Sequence, residues 1–346
     1  MQQVPLGSTG LTVSELGFGA IPIIHLTPDA AHRVLRRAHD RGITLYDTAN
    51  AYADSEEKIG RAFEGIRHEV VLATKTLRRD AKGVEEHLGR SLRLLRTDHV
   101  DLYQLHQVAQ ESAWEAITAP GGALEAAVRA VERGQVRHLG VTSHSLPMAV
   151  KLVETDLFAT IQFPFNFIED GAKDRLHAAA RERGMGILAM KPFAGGVIDD
   201  AGVAFRFLRQ HPGVIPIPGF DTVERVDQVV SFYDRPNVCT DGDLRRMDDY
   251  RAELGKRFCR RCEYCQPCPN GVMITMAMGY PVVVARMGPA VARTFCGAAM
   301  ESVPQCTECG ECLPRCPYEL PIPEMLRSHR EAYLRDLAPP SMPAEG

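Results

Sequence analysis

Eight times between Glu15 and Ile217, a short apolar run is followed by a stretch of helical character. The runs are Glu15–Gly19, Thr44–Tyr46, Val70–Thr74, Val100–Leu105, Val136–Val141, Thr160–Phe163, Gly186–Met190 and Val214–Ile217. Each is too short for a helix and too uniformly apolar for a half-exposed strand. That is how parallel strands covered on both faces read. Between them, Pro28–Arg41, Val84–Leu95, Leu124–Arg133, Lys173–Arg183 and Val223–Ser231 space their apolar residues by three and four, as amphipathic helices do. Gly42, Gly134 and Gly184 each follow a basic residue where a helix should stop. Eight strand–helix units predict an α/β fold, a (β/α)8 TIM barrel, over residues 1–240. A doubly wound sheet is the alternative. It lacks support, because Gly17-Phe18-Gly19 is followed by Pro22 where the third glycine of the dinucleotide fingerprint belongs.

The chain has 346 residues, so a barrel leaves room for a second module. We expect a linking helix and a mainly helical module over 241–336, then a disordered tail, 337–346, rich in proline and small residues. The formal net charge of -4 provides no basic footprint for nucleic acid. The opening MQQVPLGSTG lacks a charged-then-apolar export pattern. The longest uncharged stretch, Gly271–Ala285, is too short to span a bilayer, and a buried helical segment is expected there instead. No cysteine occurs before Cys239, which argues for a reducing compartment, the cytoplasm, and against a secreted disulfide framework. Cys239 and Cys296 stand apart from the other cysteines and read as small buried hydrophobes.

The remaining cysteines form two runs. Cys259, Cys262, Cys265 and Cys268 precede Pro269; Cys306, Cys309, Cys312 and Cys316 precede Pro317. The second run has the C-x2-C-x2-C-x3-C-P spacing of bacterial iron–sulfur proteins, and the first is one residue shorter before its last cysteine. Such density suits [4Fe–4S] clusters, with two expected. Structural zinc and disulfides are the alternatives. In two-cluster ferredoxins the fourth cysteine of each run ligates the other cluster. That scheme groups Cys259, Cys262 and Cys265 with Cys316, and Cys306, Cys309 and Cys312 with Cys268.

Barrel chemistry sits at the C-terminal ends of the strands. Asp47 follows the second strand with Tyr52 five residues on, Lys75 follows the third and His106 the fourth. Together they form a coherent set for carbonyl reduction. A phenol can donate the proton, a nearby ammonium favours phenolate, a carboxylate fixes the ammonium, and an imidazole orients the carbonyl oxygen.

The segments YDTANAY with SEEKIG, ATKT, LYQLHQ, GQVRHLGVTSHS and IPIPGF with TVERVDQV resemble, in order, the signatures of the aldo-keto reductase family. The likeness covers roughly residues 3–233. It implies that Tyr52 is the proton donor, that Lys75 and Asp47 tune it, and that His106 orients the substrate. Hydride would pass directly to or from NADP(H), with NAD(H) as the alternative. The positions matching the family's cofactor contacts are Thr142, Ser143, Gln162, Met190, Lys191, Gly219, Thr222 and Arg225. Ser143 replaces an asparagine, Met190 an aromatic, and Gly219 a frequent lysine. The cysteine runs resemble the ferredoxin-like tail of one branch of that family. The expected function is therefore an oxidoreductase acting on a carbonyl or alcohol, with appended clusters for electron relay or structure and a redox partner protein. A cofactor-binding regulatory subunit, or an electron-transfer subunit without carbonyl turnover, is the alternative. A substrate pocket is expected near His25 and Trp114.

Overall fold

A computed structural model describes residues 1–254 and 257–337, with the backbone alone at 286 and 287. The chain divides into two compact units, Met1–Met247 and the residues from Asp248 onward. In the first unit eight parallel strands form one sheet: β1 (Phe18–Gly19), β2 (Leu45–Asp47), β3 (Val71–Thr76), β4 (Val100–Leu105), β5 (Val136–Thr142), β6 (Thr160–Pro164), β7 (Gly186–Met190) and β8 (Val214–Pro216). Their order in the sheet is their order in the chain. The two edges meet. Gly19 bridges Gly219 in parallel, and the N–H groups of Gly17 and Gly19 donate to the carbonyls of Pro216 and Pro218 at 2.9 and 2.7 Å. The closure requires glycine, since a Cβ on Gly19 would stand 2.7 Å from the Ile217 carbonyl oxygen. Closing the sheet leaves no unpaired edge.

The expected strands agree with the observed ones to within two residues, except that β1 starts at Phe18 rather than Glu15. An antiparallel hairpin, Gln3–Pro5 with Thr12–Ser14, precedes the barrel. It was not foreseen because three-residue strands are too short for an alternation to register. The hairpin closes the N-terminal mouth: Leu6 and Val13 are fully buried against Leu45, Ala73, Leu102, Leu188 and Ile215. Helices cover the outside, among them Pro28–Asp40, Ala81–Leu95, Ala123–Glu132 and Val223–Ser231. The helix expected from Lys173 begins at Leu176. Thr27, Asp80 and Thr222 accept backbone N–H groups at helix starts, as N-caps should. Gly42, Gly134 and Gly184 take φ of 87, 72 and 64°, the left-handed conformation in which a helix commonly ends.

Side chains alternate across a strand, so every second residue enters the barrel. Leu45, Ala73, Leu102 and Leu188 make an apolar layer. Two residues further along those same strands come Asp47, Lys75, Gln104 and Met190. The interior therefore turns from apolar to polar one layer below the C-terminal mouth.

In the second unit, helices Ile274–Met278, Tyr280–Ser302 and Ile322–Leu337 share a core that includes Val272, Tyr280, Cys296, Met300 and Leu326. Cys296 is buried in it, while Cys239, in the first unit, is half-buried. The segment expected to be one buried helix is divided between the first two of these. Left-handed Gly288 (φ 75°) before Pro289 bends the second. Among the described residues, no helix is long and apolar enough to cross a membrane. Of the expected disordered tail, Leu337 ends the last helix and residues 338–346 lie outside the described residues.

Candidate active site

The polar layer is organised around Asp47, which ends β2 and is 3 % exposed. Lys75 enters from β3 and donates its ammonium to Asp47 Oδ1 at 2.5 Å and to the Thr48 carbonyl at 2.6 Å. Gln104, from β4, donates its amide to Asp47 Oδ2 at 2.8 Å. Gln162, from β6, donates to Oδ1 at 3.3 Å. A buried carboxylate is costly unless its lone pairs are used, and three side chains on separate strands use them here.

Tyr52 stands in the loop after β2. Its ring centroid lies 5.0 Å from Lys75 Nζ, and its hydroxyl hydrogen-bonds that ammonium. The Tyr52 and His106 rings meet edge to face, with centroids 5.9 Å apart. Burial pushes the Lys75 ammonium towards losing its proton, but Asp47 and Tyr52 outweigh it and hold its pKa above the ordinary lysine value. His106 moves the other way. Burial, then the charges of Lys75 and Arg79, depress its pKa well below the ordinary histidine value. The imidazole is therefore neutral, and its Nδ1 is buried without a hydrogen-bond partner. Arg79 secures the loop after β4 by donating to the carbonyls of His106 and Gln107 at 2.6 and 3.1 Å.

Behind this layer, the loops after β1 and β2 are tied together. The buried Lys58 ammonium binds the Ile23 carbonyl at 2.9 Å and Asp54 at 2.8 Å. Thr48 and Ser55 share a hydrogen bond of 2.8 Å. Glu56, in the helix Ser55–Ala62 that also carries Lys58, accepts the Thr74 hydroxyl at 2.6 Å. The segment carrying Tyr52 is thus anchored on both sides, which fixes where the phenol can stand.

The other residues expected to face a cofactor are spread around the mouth. The Thr142 hydroxyl accepts the Gln107 N–H at 2.8 Å. The Ser143 hydroxyl is engaged with the backbone of Ser145, as acceptor at 3.1 Å and donor at 3.2 Å. Gln162 has its amide nitrogen on Asp47, while its Oε1 is buried without a partner. Met190 packs on the barrel core. Lys191 is in the left-handed conformation (φ 57°). Its carbonyl accepts Asn166 Nδ2 at 3.0 Å. Gly219 sits at the barrel seam, Thr222 caps the helix that follows, and exposed Arg225 pairs with Asp221 at 3.4 Å. Trp114 is turned inward, packing edge to face on Phe158 at 6.2 Å, whereas His25 is exposed. The structure therefore gives Trp114 a packing partner in Phe158.

The residue that sequence reasoning passed over is Gln104. Attention to the residues just beyond each strand excluded it. The signal was nevertheless present: Gln104 precedes His106 by two, so the pleat sends both side chains the same way.

Nine of the ten cysteines lie in the second unit and Cys239 in the first, and none is in a disulfide. The two runs follow one backbone path. Arg261 and Glu263 are left-handed in the first (φ 57 and 67°), and Glu308 and Gly310 are left-handed at the corresponding places in the second (φ 57 and 77°). Three of these are not glycine, so the conformation is costly and must be held by its surroundings. Two small cavities result. Cys259, Cys262, Cys265 and Cys316 line one; Cys268, Cys306, Cys309 and Cys312 line the other, together with Cys265. Among the described residues, no group of three or more His, Cys, Asp or Glu side chains is arranged to hold a metal ion.

A closed eight-stranded barrel with a buried Asp–Lys pair, a tyrosine and a neutral histidine at its C-terminal mouth defines the class. Residues 15–203 match the Aldo/keto reductase family. The chain belongs to that family and is an oxidoreductase of its type. It is 33% identical over 228 residues to the uncharacterized oxidoreductase YrpG of Bacillus subtilis, covering 57% of this chain and 68% of that one. It is 33% identical over 207 residues to aldo-keto reductase str7 of Strobilurus tenacellus, covering 54% of this chain and 60% of that one. Among solved structures, aldo-keto reductase AKR11C1 from Bacillus halodurans in its holo form has a similar fold, with TM-score 0.63 and 22% identity over 72% of this chain and 96% of that one.

Proposed function

We propose that the protein is an NADP(H)-dependent oxidoreductase interconverting a carbonyl and an alcohol, with a ferredoxin-like second unit carrying two [4Fe–4S] clusters. The observation that carries the barrel half is the convergence of Tyr52, Lys75, Asp47 and His106 from two strands and two loops. When bound, NADPH supplies the hydride. Tyr52 then gives its proton to the carbonyl oxygen. Lys75, kept charged by Asp47, stabilises the phenolate left behind. The neutral imidazole of His106 donates an N–H to the same oxygen and sets its position. Its neutrality matters, because an imidazolium at this place would compete with Tyr52 for the role of acid.

The residues at the mouth fit a nicotinamide dinucleotide. The unpartnered buried Oε1 of Gln162 is an acceptor for a carboxamide N–H. Thr142, Ser143, Met190 and Lys191 would border the ring, and Gly219, Thr222 and Arg225 a phosphate at a helix N-terminus. We expect NADPH to be preferred over NADH in kcat/KM against a panel of simple aldehydes and ketones, followed at 340 nm. Equal use of both would remove Arg225 as a 2′-phosphate contact. No turnover with any of the panel would favour a regulatory subunit.

The cavities of the second unit support the cluster reading. Cys259, Cys262 and Cys265 border one with Cys316 from the other run; Cys306, Cys309 and Cys312 border the other with Cys268 and Cys265 from the other run. Arg260 also lines the first cavity. Its Nε and Nη1 are buried without hydrogen-bond partners, and its guanidinium rests 3.8 Å over the Tyr318 ring. Orphaned donors beside a cavity lined by cysteine sulfurs suit a group with anionic sulfides. A [4Fe–4S] cluster supplies a one-electron centre when bound. The expected result is protein that, purified without oxygen, absorbs broadly near 400 nm and contains about eight iron and eight sulfide per chain. Zinc without sulfide would overturn this half of the proposal and leave the barrel half standing.

A further inference from the structure

We infer that Gln104 is a positioning residue for the proton-transfer machinery, acting through Asp47 on Lys75 and Tyr52. The inference rests on the reading of Tyr52 as proton donor and extends it. Gln104 is fully buried, and Lys75 is its direct neighbour in the register of β3 and β4. Its amide nitrogen is 2.8 Å from Asp47 Oδ2, the oxygen that Lys75 does not use. Its own Oε1 has no partner. A buried amide left half-satisfied is an expense that packing alone does not call for, since a leucine or methionine would fill the same interior position. What the amide provides is a donor for the second oxygen of a carboxylate whose first oxygen holds the ammonium.

The consequence follows from competition for a proton. A carboxylate with both oxygens satisfied is a poor base and leaves the proton on Lys75. Remove the Gln104 donor, and Asp47 draws harder on that proton. The Lys75–Tyr52 contact becomes less cationic, and the phenol becomes a weaker acid. Gln162 cannot compensate, because it reaches the same Oδ1 as Lys75 and at 3.3 Å. The other charged or titratable groups facing this trio are His106, Arg79 and Glu56. His106 and Glu56 each feel the Lys75 charge, and none of the three touches Asp47 Oδ2.

The test compares the wild-type holoprotein with Gln104→Met, Gln104→Glu and Tyr52→Phe, reading kcat, KM and the pH profile of carbonyl reduction. Gln104→Met keeps the volume and loses the donor. Its kcat should fall roughly tenfold with KM little changed, and its alkaline limb should move up by about one pH unit. Gln104→Glu can still donate while protonated beside Asp47, so its kcat should recover towards acid pH. Loss of turnover in Tyr52→Phe alongside an unaltered kcat and limb in Gln104→Met would overturn this inference alone. Undiminished turnover in Tyr52→Phe would overturn the proton-donor reading beneath it. Should Gln104→Met fail to fold, Gln104→Glu decides: recovery in acid supports the inference, and a uniform loss at every pH overturns it.

Discussion

Tyr52→Phe will lower kcat for carbonyl reduction by about 10²- to 10⁴-fold while leaving the cofactor dissociation constant within a few-fold of wild type. The phenyl ring retains the edge contact with His106 and the place beside Lys75. Only the hydroxyl is lost, so the fold and the cofactor surface should be untouched. Steady-state kinetics and cofactor fluorescence titration separate the two effects. A variant with wild-type kcat would show that the proton comes from elsewhere, with water or His106 the next candidates. The same substitution gives the pH profile its meaning. In wild type the reduction rate should decline in alkali as the phenol ionises, and that limb should vanish in the residual activity of Tyr52→Phe.

Asp47→Asn carries the largest expected cost in stability. Lys75 is 1 % exposed, and among the described residues its only carboxylate contact within 4 Å is Asp47. Removing one member of a buried ion pair typically costs about 3 kcal/mol or more, because the other charge is stranded. The sign of the pH dependence distinguishes this from a packing defect. In wild type the pKa of Lys75 is raised on folding: burial lowers it, but Asp47 and Tyr52 overcome burial. That contribution is fully present below the ordinary lysine range and is lost as pH climbs through the raised value. In Asp47→Asn the main counterweight is gone, and burial dominates. The unfolded chain then binds the proton more strongly than the folded one, so the variant gains stability as pH rises towards about 10. Urea unfolding at pH 6, 7.5 and 9 should show the deficit narrowing. A constant deficit would mean that Lys75 keeps its charge without Asp47.

Much of the barrel could be read from the chain because buried parallel strands leave an uninterrupted apolar signal and their helices a periodic one. Val100–Leu105 and Gly186–Met190 coincide with their expected limits. The N-terminal hairpin escaped because its strands are three residues long and its buried residues, Leu6 and Val13, gain meaning only once a barrel mouth exists to be plugged. For the candidate site, Asp47, Tyr52, Lys75 and His106 were legible because barrel chemistry gathers at strand ends. What stayed hidden is which partner each group chooses. Gln162, expected at the cofactor, also donates its amide to Asp47, leaving its oxygen available. Gln104 was assigned nothing. Trp114, expected near a substrate pocket, packs edge to face on Phe158, some 44 residues later in the chain, at 6.2 Å. Pairings of this kind depend on register and on loop paths, which no local window contains.

The exchange of Cys268 and Cys316 between the two cavities has a consequence for how such a module can arise or be dismantled. A chain ending before Cys306 would lose cysteines from both cavities, not one, since the later run contributes Cys316 to the first as well as lining the second. The two halves are interlocked, as two clasped hands are, and neither is a separable building block.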